Sequence, residues 1–144
     1  MTATVDADAD YSLAADLRLV LGRLVRMLRS EHRLGLTQAA VLGRLDRDGD
    51  QGTGELARFE SVRPQSMSQT VVELETAGLV TRKRDQRDGR RILVSLTDAG
   101  RSAIELDRGV RDGRLAAAIQ TKLSDADRAV LREAVAVLSR LCED

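Results

Sequence analysis

A single stretch of the chain, residues 79–96, has the pattern of a β-hairpin, whereas the apolar residues on both sides of it recur at helical spacing. The segments LVTRKRD and RRILVSL can pair across the turn QRDG, with Gly89 at the tip. Four helical segments precede this hairpin and two follow it. The sequence therefore predicts a mainly α fold with one small β-hairpin wing.

The predicted helices are bounded by residues that favour helix ends. Pro64 suits the first position of a helix over 64–77, because its missing N–H costs nothing there, and Gly78 ends that helix. Helix N-caps are predicted at Ser12, Thr37, Thr53, Thr97 and Ser124. A stretch over 98–122 is helical but interrupted by Gly109 and Gly113. This order of elements is typical of a winged helix-turn-helix flanked by terminal helices.

The domain organisation follows from length and patterning. Residues 1–10 are acidic and lack helical periodicity, which predicts a mobile acidic tail. We expect one domain over 11–144, with the winged helix-turn-helix at 37–97 and flanking helices over 12–33 and 98–142. These terminal helices are more apolar than so small a wing domain can bury, so they are predicted to form the interface of a helical homodimer.

Several classes of function are disfavoured by composition. The start MTATVDADAD has neither the cationic nor the apolar region of a signal peptide, and no apolar run approaches the roughly 20 residues of a membrane span. One cysteine and one histidine cannot form a disulfide or a structural zinc site. No catalytic triad or phosphate loop is recognisable. We therefore expect a cytoplasmic protein without membrane contact, metal, cofactor or enzymatic activity.

Positive charge is concentrated in the hairpin, although the net charge of the chain is zero. Residues 82–91 contain six basic side chains and two acids, Asp85 and Asp88, and such a cluster focuses the electrostatic field at one site. Arg87 and Arg90 lie on a narrow turn that can enter a minor groove, where negative potential favours arginine. The same residues also fit a solvated charge run that the two aspartates balance.

The helix over 64–77 presents short neutral hydrogen-bonding groups. Glutamine can pair bidentately with adenine in the major groove, and serine or threonine can contact bases or phosphates. The candidate side chains are Gln65, Ser66, Ser68, Gln69 and Thr70. Taken alone, this face could equally be an ordinary solvated surface. Together with the basic hairpin it favours DNA binding, while the alternative is a winged-helix module that binds protein.

Three stretches resemble the MarR family, the multiple-antibiotic-resistance group of transcriptional regulators, over residues 12–142. They are GLTQAAVLGRL, GELARFESVRPQSMSQTVVELETAGLVTRKRD and RDGRRILVSLTDAGR. The last two are the most specific, because LE-x-x-GLV-x-R and D-x-R-x-x-x-V-S-LT-x-x-G occur in the right order and at the right spacing. The resemblance implies a homodimeric regulator, usually a repressor, that places its two recognition helices in successive major grooves of a pseudo-palindromic duplex site.

The resemblance also assigns roles to individual residues. The distance to VSLT maps the family's wing aspartate and arginine onto Asp88 and Arg90, so Arg90 is expected to enter the minor groove with its guanidinium oriented by Asp88. Arg84, Arg87 and Arg91 would mainly attract phosphates. Many members release DNA on binding a small phenolic or lipophilic effector, whose binding residues the sequence does not identify. Gln69 replaces a basic residue that is common in the family, which implies major-groove contacts that are either weaker or of different specificity.

Overall fold

The computed structural model describes residues 3–29 and 34–143. Its elements are α1 (Ala3–Arg29), α2 (Leu36–Asp48), β1 (Gln51–Gly52), α3 (Thr53–Phe59), α4 (Pro64–Thr76), β2 (Val80–Arg84), β3 (Ile92–Leu96), α5 (Asp98–Lys122) and α6 (Asp125–Arg140). The mainly helical fold with a small antiparallel sheet is confirmed. None of the helices in this part of the chain has the length and apolarity needed to cross a lipid bilayer.

The sheet is three-stranded, with the order β1-β3-β2. The predicted hairpin is confirmed, and its antiparallel register extends from Val80 opposite Leu96 to Arg84 opposite Ile92. The short strand β1 pairs with β3 on its other side, and the sequence pattern predicts no strand there. A strand of two residues has no periodicity of its own, so only its tertiary partner reveals it.

An aliphatic core joins α2, α3, α4 and the sheet. Its largest fully buried side chains include Leu42, Leu56 and Val94. Helix α4 contributes the buried residues Met67, Val71 and Leu74, as its apolar stripe predicts. Removing most of a buried leucine typically costs 2–5 kcal/mol, so this packing fixes which face of α4 remains outside.

The helix boundaries confirm some predicted caps and correct others. Pro64 is the first residue of α4, and the Ser124 hydroxyl accepts from the Asp127 N–H at 3.2 Å at the start of α6. Helices α2 and α3 are capped by Gly35 and Gly52 instead of Thr37 and Thr53. In both, a side chain in the first turn, Gln38 or Glu55, accepts from the N–H of the capping glycine, so no threonine cap is needed.

Helix α1 begins nine residues before the predicted N-cap Ser12. The expected acidic tail is therefore wrong for residues 3–10, which are helical, whereas residues 1 and 2 lie outside the described residues. No glycine or proline precedes Gly22 to stop the helix, and acidic side chains near a helix N-terminus interact favourably with its dipole. The predicted end of this helix, residues 30–33, also lies outside the described residues.

The chain divides into two compact units, Met1–Arg108 and Gly109–Asp144. Helix α5 has the predicted bounds and continues through Gly109 and Gly113 without the expected interruption. No residue of α6, all of which is described, is buried. Large apolar side chains are exposed on α1 and on α6, among them Tyr11, Leu13, Val130 and Val135.

Candidate nucleic-acid interface

Helix α4 exposes the polar residues that the sequence singles out. Its buried stripe faces the core, and Gln65, Ser66, Ser68 and Gln69 are all exposed on the remaining surface. Thr70 is half-buried, and its hydroxyl donates to the Ser66 carbonyl at 3.0 Å. The Thr70 oxygen can therefore only accept a hydrogen bond from a ligand, since a hydroxyl has one proton to donate.

Glu73 connects this face of α4 to helix α2. One carboxylate oxygen of Glu73 accepts from Gln69 Nε2 at 3.2 Å, and the other accepts from Gln38 Nε2 at 3.1 Å. Neither Glu73 nor Gln38 is among the functional residues predicted from the sequence. The spacing of four residues between Gln69 and Glu73 on one helix is a usable signal for that contact, but the contact with Gln38 is tertiary and has none.

A tight corner links α4 to the hairpin. Gly78 has φ of 74°, a conformation that favours glycine, and the next N–H, of Leu79, donates to the Leu74 carbonyl at 2.9 Å. Thr97 closes the corner from β3: its hydroxyl donates to the Gly78 carbonyl at 2.7 Å and its N–H to the Leu79 carbonyl at 3.2 Å. The Thr97 oxygen also accepts from Gly100 N at 3.0 Å, which confirms it as a cap of α5.

Gly100 allows α5 to approach this corner. A Cβ at this position would overlap the carbonyl oxygen of Leu79 and lie 2.8 Å from Cδ1 of Leu96. Farther along α5, Arg101 and Arg108 both pair with Asp46 of α2, the latter at 2.9 Å. The start of α5 is therefore held against both the hairpin and α2.

Three cations of the hairpin are paired with acids from other elements. Lys83 Nζ lies 2.6 Å from an Asp50 oxygen, Arg82 Nε donates to Glu75 at 2.8 Å, and Arg91 pairs with Glu55 of α3. These contacts attach the hairpin to the elements around it. They also place Arg91, a predicted DNA contact, in an ion pair within the protein.

The pKa values of these acids reflect the same contacts. Hydrogen bonding from Lys83 holds the pKa of Asp50 below its usual range. The Gly52 N–H, followed by Arg91, lowers the pKa of Glu55. The hydrogen bond from Arg82 lowers the pKa of Glu75 in the same way. All three carboxylates are thus stabilised in their charged form.

The three remaining arginines lie near or within the turn that joins β2 and β3. Arg84, Arg87 and Arg90 are exposed, and among the described residues their guanidinium groups have no ion-pair partner. Sequence distance does not separate these side chains from Arg82, Lys83 and Arg91, whose partners come from other parts of the fold.

The two Asp-x-Arg triplets of the turn share one hydrogen bond from backbone to side chain. Asp85 Oδ1 accepts from the backbone N–H of Arg87 at 2.9 Å, and Asp88 Oδ1 accepts from the backbone N–H of Arg90 at 3.1 Å. The expectation that Asp88 holds the Arg90 guanidinium is therefore corrected, since the carboxylate binds the main chain. Aspartate commonly bonds the backbone two residues on, because its short side chain reaches that N–H.

Comparison with known proteins agrees with this geometry. The MarR family model matches residues 34–92, which contain α2, α3, α4, β2 and the turn that follows β2. A protein of Mycobacterium bovis, named an uncharacterised HTH-type transcriptional regulator, is 34% identical over 140 residues, covering 95% of this chain and 97% of that protein. An HTH-type transcriptional repressor of Mycobacterium tuberculosis is 36% identical over 95 residues, covering 61% of this chain and 68% of the repressor.

Solved structures share the fold over nearly the whole chain. A Pseudomonas aeruginosa protein superposes with a TM-score of 0.78 at 34% identity, covering 95% of this chain and 99% of that one. BpsR of Bordetella bronchiseptica, whose DNA binding is regulated by 6-hydroxynicotinic acid, superposes with a TM-score of 0.70 at 20% identity, covering 92% and 99%. The family model, the extensive relatedness and the winged fold together show that this chain belongs to the MarR family of DNA-binding transcriptional regulators.

Proposed function

We propose that this protein is a homodimeric repressor that binds a pseudo-palindromic site in duplex DNA through α4 and the hairpin. The observation that supports this most directly is the exposed polar face of α4 in the same compact unit as three arginines that have no ion-pair partner among the described residues. Repression is proposed because mycobacterial relatives that are 36% identical over 95 residues are named repressors, while activation is the alternative, since BadR of Rhodopseudomonas palustris, also 36% identical, is named an activatory protein.

In this proposal α4 and the hairpin contact different parts of the DNA. Ser66, Ser68 and Gln69, with Gln65 and Thr70, contact bases or phosphates in the major groove. Arg90 enters the flanking minor groove, and Asp88 supports it by fixing the backbone of the turn. Arg84 and Arg87 attract phosphates, and Arg91 adds to this attraction while it remains paired with Glu55.

Dimerisation through the terminal helices is the second part of the proposal. We expect one MarR-like domain over 11–144, with the DNA-binding portion at 37–97 and flanking dimerisation helices. The exposed apolar side chains of α1 and α6 support this, because isolated soluble chains seldom leave so many uncovered. Two copies would place their α4 helices about one helical turn of DNA apart.

A small phenolic or lipophilic effector is the third part. The regulation of BpsR by 6-hydroxynicotinic acid is a property of that protein, and it motivates a test of this one. Thermal unfolding of the purified protein with and without 6-hydroxynicotinic acid and uncharged phenols would detect binding as a concentration-dependent rise in Tm. No rise with any of these compounds would count against this part alone.

Duplex binding measured against salt tests the central proposal. A regulator should lose affinity steeply as salt increases, and should still prefer one selected duplex over competitor DNA. Selection of bound genomic fragments with the purified protein supplies that duplex. Binding that is indifferent to sequence, or absent at low salt, would support the alternative of a winged-helix module that binds protein.

A further inference from the structure

Gln38, Glu73 and Gln69 form a chain of hydrogen bonds from the start of α2 to the exposed face of α4. The Gly35 N–H donates to Gln38 Oε1 at 3.0 Å, and Gln38 Nε2 donates to Glu73 at 3.1 Å. Gln69 Nε2 donates to the second oxygen of the same carboxylate at 3.2 Å. Both oxygens of Glu73 are therefore engaged by amide nitrogens from two different helices.

The chemistry of the carboxylate fixes which way the Gln69 amide points. An ionised carboxylate only accepts hydrogen bonds, so the nitrogen of Gln69, and never its oxygen, faces Glu73. A glutamine side chain without a hydrogen-bond partner on an exposed helix can flip its amide group, so that the donor nitrogen and the acceptor oxygen exchange places. Glu73 opposes that exchange, and the bond from Gln38 holds Glu73 itself in place.

We infer that Glu73 is a positioning residue that makes Gln69 selective for adenine. With one N–H held by Glu73, Gln69 presents its oxygen and its second N–H to a base. Adenine offers the matching donor and acceptor in the major groove. Guanine offers two acceptors there, and neither can donate a hydrogen bond to the glutamine oxygen. This inference rests on the proposed function, because Gln69 must face the major groove.

The charge of Glu73 supports a role in selectivity. A carboxylate on a DNA-contacting helix repels phosphates, so it lowers the affinity for every duplex regardless of sequence. Its benefit is then expected in the discrimination between bases. Removing it should raise non-specific binding while weakening the preference for adenine, and these two effects have opposite directions.

Base preference at the selected site tests the inference. Gln69→Ala should reduce the preference for adenine at one position of each half-site by about fivefold or more, the scale of a bidentate contact. Glu73→Ala should reduce it at the same position to a similar extent, and the double variant should show no further loss. Glu105→Ala, which removes the same charge from the exposed surface of α5, should leave the preference unchanged.

The outcomes separate the inference from the proposed function. If the unmodified protein selects no site, the proposed function fails. If it selects a site but Glu73→Ala retains the full adenine preference, or Gln69→Ala changes none, the inference is overturned. The DNA-free protein gives an independent measurement: NMR signals of the Gln69 and Gln38 side-chain amides should shift towards those of exposed Gln86 in Glu73→Ala. Unchanged signals would also overturn it.

Discussion

The six basic side chains of the hairpin form two sets of three whose surroundings differ. Arg82, Lys83 and Arg91 pair with acids of other elements. Arg84, Arg87 and Arg90 are exposed, and their guanidinium groups have no ion-pair partner among the described residues. A run of basic residues that looks uniform in sequence is thus divided into anchoring charges and charges available to a ligand.

The largest expected effect on stability comes from disturbing the corner where the hairpin meets α4 and α5. Gly100→Ala would place a methyl group onto the Leu79 carbonyl, and backbone cannot move aside as a flexible side chain can. Overpacking typically costs 1–3 kcal/mol, so we expect a loss of about 3 kcal/mol in the free energy of unfolding, measured with urea. Gly54→Ala is the matched control, because no atom lies within 4 Å of its added Cβ. Equal stability of the two variants would contradict the close approach at the corner.

At the tip, Arg90→Ala should weaken specific DNA binding by about 1–3 kcal/mol without changing the unfolding midpoint. Arg87→Ala should cost less, because the register of the wing places Arg90 in the groove. Fluorescence anisotropy with the selected duplex measures both. Because the aspartate of each triplet accepts from the backbone N–H of its arginine, that contact does not distinguish them, and this comparison decides between them. A loss for Arg87→Ala as large as that for Arg90→Ala would refute the assigned register.

Arg91→Ala should separate anchoring from ligand contact. Its ion pair with Glu55 is on the surface, where such pairs contribute at most about 1 kcal/mol, so a small loss of stability is expected. In Arg91→Ala, the slope of log affinity against log salt should change less than in Arg84→Ala. Arg84→Ala removes a charge that has no ion-pair partner among the described residues, and it should reduce the slope by about 1. The reverse order of slopes would show that Arg91 leaves Glu55 to bind phosphate.

Low pH should reduce the stability contributed by the anchoring contacts of the hairpin by a still smaller amount. The pKa values of Asp50, Glu55 and Glu75 are lowered in the folded state, so their contribution is present above their ordinary pKa and is lost as the pH falls through the folded value. We expect the urea concentration at the unfolding midpoint to decrease when the pH is lowered below about 4. Glu55→Gln should flatten part of that dependence, and an unchanged pH profile in this variant would count against the contacts of Glu55 with the Gly52 N–H and Arg91.

Much of the fold was predictable because it is encoded locally. Pro64, Gly78 and the stripe of Met67, Val71 and Leu74 indicate α4, and alternation indicates the hairpin, although not its register. The features that were not predicted leave only a weak local signal in the sequence. Strand β1 has two residues, and the two glycine caps depend on a side chain folding back.

The division of the cations could not be predicted, because it depends on tertiary partners. Glu55 is 36 residues from Arg91, and Gln38 is 35 residues from Glu73, so nothing near either residue indicates the contact. Sequence identified the polar side chains of α4 and the basic residues of the hairpin as candidates, whose contacts with DNA stay predictions. The fold adds which charges are already engaged.

The corner at Gly78 and Leu79 has a consequence for the DNA sites that this protein could use. Thr97 bonds both carbonyls of that corner, so α4 and the hairpin are joined by a short segment with little freedom to bend. On the proposed binding mode, the distance along the duplex between the bases contacted by α4 and the groove entered by Arg90 is then set by the protein. Substitutions on α4 can change which bases are preferred, but a base pair inserted between the two contacts should remove one of them entirely.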